Sequence, residues 1–196
     1  EALRQMACEA GFVAEDRVLS SPEYKDIYNN ALMVSVEERM TQVRSGERSA
    51  EDFIIPGALD FLGCLRQQGI KLFLASGTDR EDVMREADYL GYGSLFDGGI
   101  YGAVGDISKY SKKKLLREVI EKNGLGRGEL LVVGDGPVEI QECRRQNGTA
   151  IGVASEEATG VGLDFHKRSR LIRAGAHVVI PDLTWGDRVL EYLHVK

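Results

Sequence analysis

The sequence predicts an α/β fold: a mostly parallel sheet with helices on both faces, plus a small helical subdomain. Three observations carry this. From Ile54 onward, short apolar runs alternate with helical patterns, the signature of strands linked by crossover helices. Those runs are apolar throughout rather than every second residue, as in strands covered on both faces. Residues 1–55, by contrast, are rich in helix formers and hold no buried-strand signal. The expected division is therefore 1–55, helical, and 56–196, sheet and helices.

The amino-terminal region reads as three helical pieces. Glu1–Ala10 is a short helix closed by Gly11. A second opens at Ser21-Pro22, a cap with proline in the first turn, and runs to Val36 or on to Val43, where Ser45-Gly46 ends it. Ser49–Phe53 supplies one more turn. Tyr24, Tyr28, Asn29, Asn30 and Arg39 are the pocket candidates here, set against the usual solvation of polar helix positions.

In the second region, Pro56-Gly57 opens a helix with Leu59, Leu62 and Leu65 at three-residue spacing, closed by Gly69. Lys71–Ala75 is a buried strand ending in Ser76-Gly77-Thr78. Thr78 and Glu81 pair as a capping box for a helix to Leu90. A turn-rich stretch, Gly91–Gly105, contains a strand at Ile100–Val104, and Lys112–Asn123 is a helix ended by Gly124. Strand Leu130–Val133 turns at Gly134-Asp135-Gly136 into helix Pro137–Gln146, which stops at Asn147-Gly148. Strand Ala150–Ala154, helix Phe165–Ala174, strand His177–Ile180 and helix Trp185–Leu193 complete the chain. The glycine-spaced Gly124–Gly128 resembles half a dinucleotide fingerprint but precedes a strand, so it is discarded.

Composition narrows the function classes. With 43% hydrophobic and 29% charged residues, the chain reads as globular rather than disordered. No apolar run approaches the ~20 residues of a membrane span, and no basic-then-apolar leader opens it. The net charge of −6 argues against nonspecific nucleic-acid binding. Cys8, Cys64 and Cys143 have no zinc or disulfide spacing and read as reduced thiols, placing the protein in the cytoplasm. The basic run His166, Lys167, Arg168, Arg170 and Arg173 reads as a solvated helix face. The sequence does not disclose the oligomeric state. The first residue is Glu1, inside a helical pattern, which reads as a processed product or a piece of a longer chain.

Three places carry chemistry. Asp135 follows a buried strand, where open α/β sheets place their ligands. Glu139, in the first turn of the next helix, can point its carboxylate back toward Asp135. Two such acids suit magnesium, which prefers oxygen ligands; the plainer reading is turn punctuation with Glu139 complementing the helix dipole. Ser76, with Gly77 and the amides that open the next helix, makes a phosphate seat, or Ser76 and Thr78 simply cap. Lys109 stands at a loop-to-helix junction ahead of Lys112, Lys113 and Lys114. Lysines there oppose the helix dipole, so they call for an anion or belong to a solvated patch.

In this order the motifs resemble the haloacid dehalogenase-like hydrolase superfamily, most of whose members are magnesium-dependent phosphatases. The resemblance covers residues 54–196. Phe73–Thr78 looks like the family's second motif, which implies phosphate binding at Ser76 and Gly77. Lys109 matches the third-motif lysine, with a catalytic and phosphate-binding role, and Lys112 competes for it. Val132–Glu139 looks like the fourth motif, which implies Asp135 and Glu139 as magnesium ligands. The resemblance further implies a Rossmann-like core at 56–196 and a helical cap at 1–55. The implied activity is hydrolysis of a small phosphorylated metabolite through an aspartyl-phosphate.

The first motif, an aspartate nucleophile with a second acid two residues on, is missing. No Asp-x-Asp occurs in the chain. Asp97 and Asp106 lack a preceding buried strand and do not replace it. In the family that motif lies on a central strand between those carrying Ser76 and Asp135. The expectation is thus a sheet without its central strand and a nucleophile upstream of Glu1. Two other readings stand beside it. One is an inactive, phospholigand-binding relative that keeps Ser76 and Lys109 as an anion site. The other is a receiver-like signalling domain, which the order of motifs disfavours.

Overall fold

A computed structural model describes residues 18–103, 112–126, 128–157 and 159–194. The chain divides into two compact units, Glu1–Asp52 and Phe53–Lys196. The expected helix Glu1–Ala10 lies outside the described residues.

In the first unit, helix α1 spans Ser21–Arg44. Its cap is Ser20, not Ser21 as the sequence reading has it. Glu23 sits three residues after Ser20, and its Oε2 accepts from the Ser20 amide at 2.8 Å and from the Ser20 hydroxyl at 2.7 Å. The Glu23 amide donates back to Ser20 Oγ at 3.5 Å, and this reciprocal pairing satisfies a free amide of the first turn. Ser45 ends the helix, donating its amide to Thr41 O. A single 3-10 turn follows at Ala50–Phe53. Of the pocket candidates, Tyr28 is 60% exposed, and Asn30 borders a shallow groove along α1 with Val34 and Glu37.

The second unit alternates strand and helix. Its elements are α2 (Ala58–Gln67), β1 (Phe73–Asp79), α3 (Arg80–Tyr89), β2 (Gly99–Ala103), α4 (Lys112–Asn123), β3 (Leu131–Gly134), α5 (Pro137–Arg145), β4 (Thr149–Val153), α6 (Phe165–Ala174), β5 (Val178–Ile180) and α7 (Gly186–Tyr192). Among the described residues the pairings between these strands are parallel, and one isolated antiparallel bridge joins Ser155 and Leu163. The strands form two separate sheets, one ordered β1-β2 and the other β3-β4-β5.

Side-chain alternation explains why helices cover both faces. Along β4, Ile151 and Val153 point to one side and pack with Phe61 and Leu65 of α2 and Val189 and Leu190 of α7. Ala150 and Ala154 point to the other, against Ile140 and Cys143 of α5 and Leu171 of α6, with Leu116 and Ile120 of α4 beside them. Successive strand residues face opposite ways, so a strand apolar at every position needs two helical layers. Each large apolar side chain buried this way contributes about 1.5–3 kcal/mol. A Cβ at Gly152 would lie 3.1 Å from Leu171 Cβ, so the small residues of β4 set how closely α6 approaches.

One correction concerns the exit from β1. The expected Thr78–Glu81 capping box does not form. The β1-β2 ladder breaks after Ala75↔Tyr101 and resumes at Asp79↔Ala103, holding Thr78 inside the strand. Helix α3 starts after Asp79, which makes no side-chain cap. Gly102 permits this start: a Cβ there would lie 2.6 Å from Arg80 Cα.

Candidate functional site

The 134–139 turn is the most closely determined part of the site. Strand β3 delivers Gly134, and Gly136 is the N-cap of α5, with Pro137 in the first turn. Proline suits that position because the amide it lacks would have no helical partner. Glu139 curls back over the turn: the Gly136 amide donates to its Oε1 at 3.1 Å, and the residue is 8% exposed. A Cβ on Gly134 would stand 2.8 Å from Glu139 Cγ, and one on Gly136 2.8 Å from Glu139 Oε2. Both glycines therefore leave the volume that the carboxylate occupies. Asp135, between them, is exposed.

Glu139 thus caps its own helix, in the same turn as Asp135. Both are hard oxygen donors, and magnesium is commonly held by one or two carboxylates together with water and phosphate oxygens. The donor chemistry fits that ion. Among the described residues no group of three or more His, Cys, Asp or Glu forms a metal cage, so Asp135 and Glu139 would make a partial set.

Ser76 lies in β1 where the ladder is interrupted. Its Oγ accepts from the Thr78 amide at 3.1 Å. Gly77 is exposed, and a Cβ there would meet nothing within 4 Å. At Gly77 the strand therefore presents backbone to open space. Ser76 stands on β1 and Asp135 follows β3; among the described residues each of these strands, like β2 and β5, is paired on one edge. Lys109 lies outside the described residues, as does Asp106. Lys112 is the first residue of α4.

Other acids and thiols have structural roles. Asp97 accepts from the Leu72 amide at 2.9 Å and lies 3.8 Å from Arg66, which ties the turn before β2 to the start of β1. The Leu72 amide holds the Asp97 carboxyl below its ordinary range. Cys143 is buried, and burial pushes its thiol up to about 11, which leaves it protonated at neutral pH. On α6 the basic run is a mostly exposed face, with Lys167 paired to Glu157 and bonded to Ser155 O at 3.2 Å.

Glu142 went unread in the sequence. It is 1% exposed, yet two charged groups and an amide donate to it or lie against it: Arg145 Nη1 at 3.1 Å, Arg117 Nε at 3.4 Å, and the Gln146 side-chain amide at 3.2 Å. Burial alone would raise its pKa. The bonds from Arg145 and Gln146 and the charges of Lys113 and Arg117 outweigh burial and lower it. It locks α5 to α4, behind the turn that carries Asp135. The only signal in the sequence was Arg145 three residues on and Gln146 four residues on.

No described helix is long and apolar enough to cross a membrane. A model of the haloacid dehalogenase-like hydrolase family matches residues 18–145. No curated protein matches the chain. Among solved structures, a haloacid dehalogenase-like protein of unknown function from Agrobacterium tumefaciens aligns with a TM-score of 0.66 at 19% identity, over 98% of this chain and 77% of its own. A Thermotoga maritima protein provisionally described as a beta-phosphoglucomutase aligns at 0.56 and 20% identity, over 70% of this chain and 60% of its own. A Deinococcus radiodurans hydrolase, solved with bound phosphate and sodium, aligns at 0.57 and 19%, over 71% of this chain and 60% of its own. The last two matches thus span less than two thirds of those proteins, and at such identities all three likenesses speak for the fold.

Proposed function

Because this chain belongs to the haloacid dehalogenase-like hydrolases, we propose that it serves a magnesium-dependent phosphatase acting on a small phosphorylated metabolite. The observation that carries this reading is the 134–139 turn, where the two glycines that flank Asp135 make room for Glu139 to fold back over the turn. The Deinococcus hydrolase with bound phosphate is consistent with a phosphate ligand.

In this reading an aspartate upstream of Glu1 is the nucleophile. Its carboxylate oxygen attacks phosphorus, the ester P–O bond breaks, and the leaving oxygen takes a proton from water to depart as the alcohol. Water then hydrolyses the aspartyl-phosphate to inorganic phosphate and the free carboxylate. Asp135 and Glu139 would hold magnesium, whose charge offsets that of the phosphoryl oxygens. Ser76 and the backbone at Gly77 hold the transferring group, and Lys109 neutralises charge beside it. Residues 1–55 correspond to the helical cap that the family resemblance implies. The reduced thiols fit a cytoplasmic setting.

The test is magnesium-dependent release of phosphate from p-nitrophenyl phosphate by the natural chain extended upstream of Glu1. We expect turnover there, none from residues 1–196 alone, and loss on Asp135→Asn. A folded, extended chain that binds phosphate without turnover would overturn the reading.

A further inference from the structure

Both main-chain groups of Ala150, in β4, are held by one residue. The His177 amide donates to the Ala150 carbonyl at 2.8 Å. The Ala150 amide donates in turn to the ring nitrogen Nδ1 of His177 at 2.9 Å. A parallel ladder would take that second bond to a carbonyl two residues earlier, at Gly175. Gly175 is the left-handed C-cap of α6, with φ +96°, so the chain is still leaving its helix there. The imidazole stands in for the carbonyl. We propose that His177 is an acid-sensitive latch: a proton on its ring breaks the Ala150 bond and lets the edge strand β5 open from β4.

The chemistry of the ring ties the latch to its protonation. Nδ1 receives the Ala150 hydrogen only while it keeps its lone pair, so the neutral ring carries its own hydrogen on Nε2. Turning the ring over would set the carbons Cδ2 and Cε1 against the same neighbours. A proton on Nδ1 brings two N–H groups head to head. The Ala150 amide, on a residue with 0% exposure, then loses its partner. Nε2 lies 2.6 Å from Arg144 Nη1, so the added charge also meets a guanidinium. No carboxylate of the surrounding elements offsets it. On α5, Glu139 is engaged with the Gly136 amide and Glu142 with Arg145. The titratable and charged residues of α6 are His166, Lys167, Arg168, Arg170 and Arg173, none of them an acid. Strands β4 and β5 carry no charged residue.

Burial of the ring, and after it the Arg144 charge, hold the His177 pKa below the ordinary 6.5. A backbone bond at Ala150 would oppose them if the ring were the donor. Here the amide donates, so this bond favours the neutral ring as well. The unfolded chain therefore takes the proton first as pH falls. The latch is whole above 6.5 and is lost as pH passes down through the folded value. Strand β5 is suited to opening: it has 3 residues, and among the described residues it pairs with β4 alone. Segments with few pairing bonds open at low free-energy cost, ahead of the core.

The test is amide hydrogen exchange followed by NMR from about pH 7.5 to about pH 5, either side of the ordinary imidazole value, with rates corrected for the intrinsic effect of pH. Protection at Ala150 and at 178–180 should fall about threefold or more as the His177 ring takes up its proton, tenfold being one full pKa unit. Protection at 131–133, in β3, should stay constant. His177→Asn sets an amide oxygen where Nδ1 stands and cannot titrate, so its protection should not change across the range. Arg144→Met removes the opposing charge and should move the fall upward by about 0.3–1 pH unit, a two- to tenfold gain in proton affinity. Ring titration without a local fall in the parent, an equal fall in His177→Asn, or a loss shared evenly by β3 would each overturn the latch. So would a fall that keeps its midpoint in folded Arg144→Met.

Discussion

Glu139 Oε1 accepts from the Gly136 amide at 3.1 Å, and Glu139 Oε2 stands 2.8 Å from where a Cβ on Gly136 would be. A methyl group at Gly136 would require the inward carboxylate, the far end of a flexible side chain, to shift. Gly136→Ala should therefore turn Glu139 outward. We expect magnesium affinity, measured by calorimetric titration, to fall about tenfold or more, in line with the loss of groups that position ligands. Stability should fall by about 1–3 kcal/mol, the usual cost of overpacking. Unchanged magnesium affinity in a folded variant would separate the glycine from the metal site.

Asp135 presents the opposite case. It is exposed and has no packing role. Asp135→Asn should leave urea stability within about 0.5 kcal/mol of the parent, as surface changes do. Magnesium binding should nevertheless weaken by ~10–100-fold, the range for a lost ligand or its support. If instead the variant binds magnesium like the parent, Asp135 is ordinary turn chemistry.

The sequence made β3, β4 and the 134–139 turn legible because their signals are local: an apolar run, a glycine pair, a proline, an acid in the first turn. The cap of α1 was legible too, since Ser20 and Glu23 have capping-box spacing; proline at Pro22 drew attention to Ser21 instead. The exit from β1 was not. Thr78 and Glu81 form a sound local pattern, but the ladder resumes at Asp79↔Ala103 and tertiary pairing wins. Glu142 was hidden for the same kind of reason, because its burial depends on α4 and α5 meeting. Lys109 and Lys112 compete in the sequence and still do, as Lys109 lies outside the described residues. The division of the strands into two sheets matches the expected gap between Ser76 and Asp135, which came from family resemblance and not from periodicity.

At the start of α2, Gly57 is required twice over. Its φ is +77°, and a Cβ there would lie 2.4 Å from both Leu183 C and Thr184 N. The Leu183 amide bonds to Pro56 O at 2.9 Å, so the start of α2 cannot move away. Gly57→Ala combines backbone strain of about 1–3 kcal/mol with overpacking of about 1–3 kcal/mol. We expect a loss of roughly 2–5 kcal/mol in urea unfolding on those two costs, with magnesium affinity of the folded protein unchanged. A loss under 1 kcal/mol would mean that the Leu183 turn yields.

Glu142 makes stability depend on pH in a defined window. Its folded-state pKa lies below the ordinary 4.5, despite burial, because Arg145, Gln146, Lys113 and Arg117 favour the carboxylate. The unfolded chain therefore binds the proton first as pH falls, and stability drops with it. The contribution is fully present above 4.5 and disappears as pH passes down through the folded value. The partner side chains Arg117 and Arg145 are 53% and 61% exposed. Solvent screening therefore brings the pair below the 3–5 kcal/mol of a fully buried one, to about 1–3 kcal/mol. Glu142→Gln should cost that much at pH 7, and the difference from the parent should shrink toward zero between pH 4.5 and the acid limit of folding. Urea unfolding of both proteins across that range checks it, and a difference that stays constant with pH would show that Glu142 stabilises by packing and not by charge.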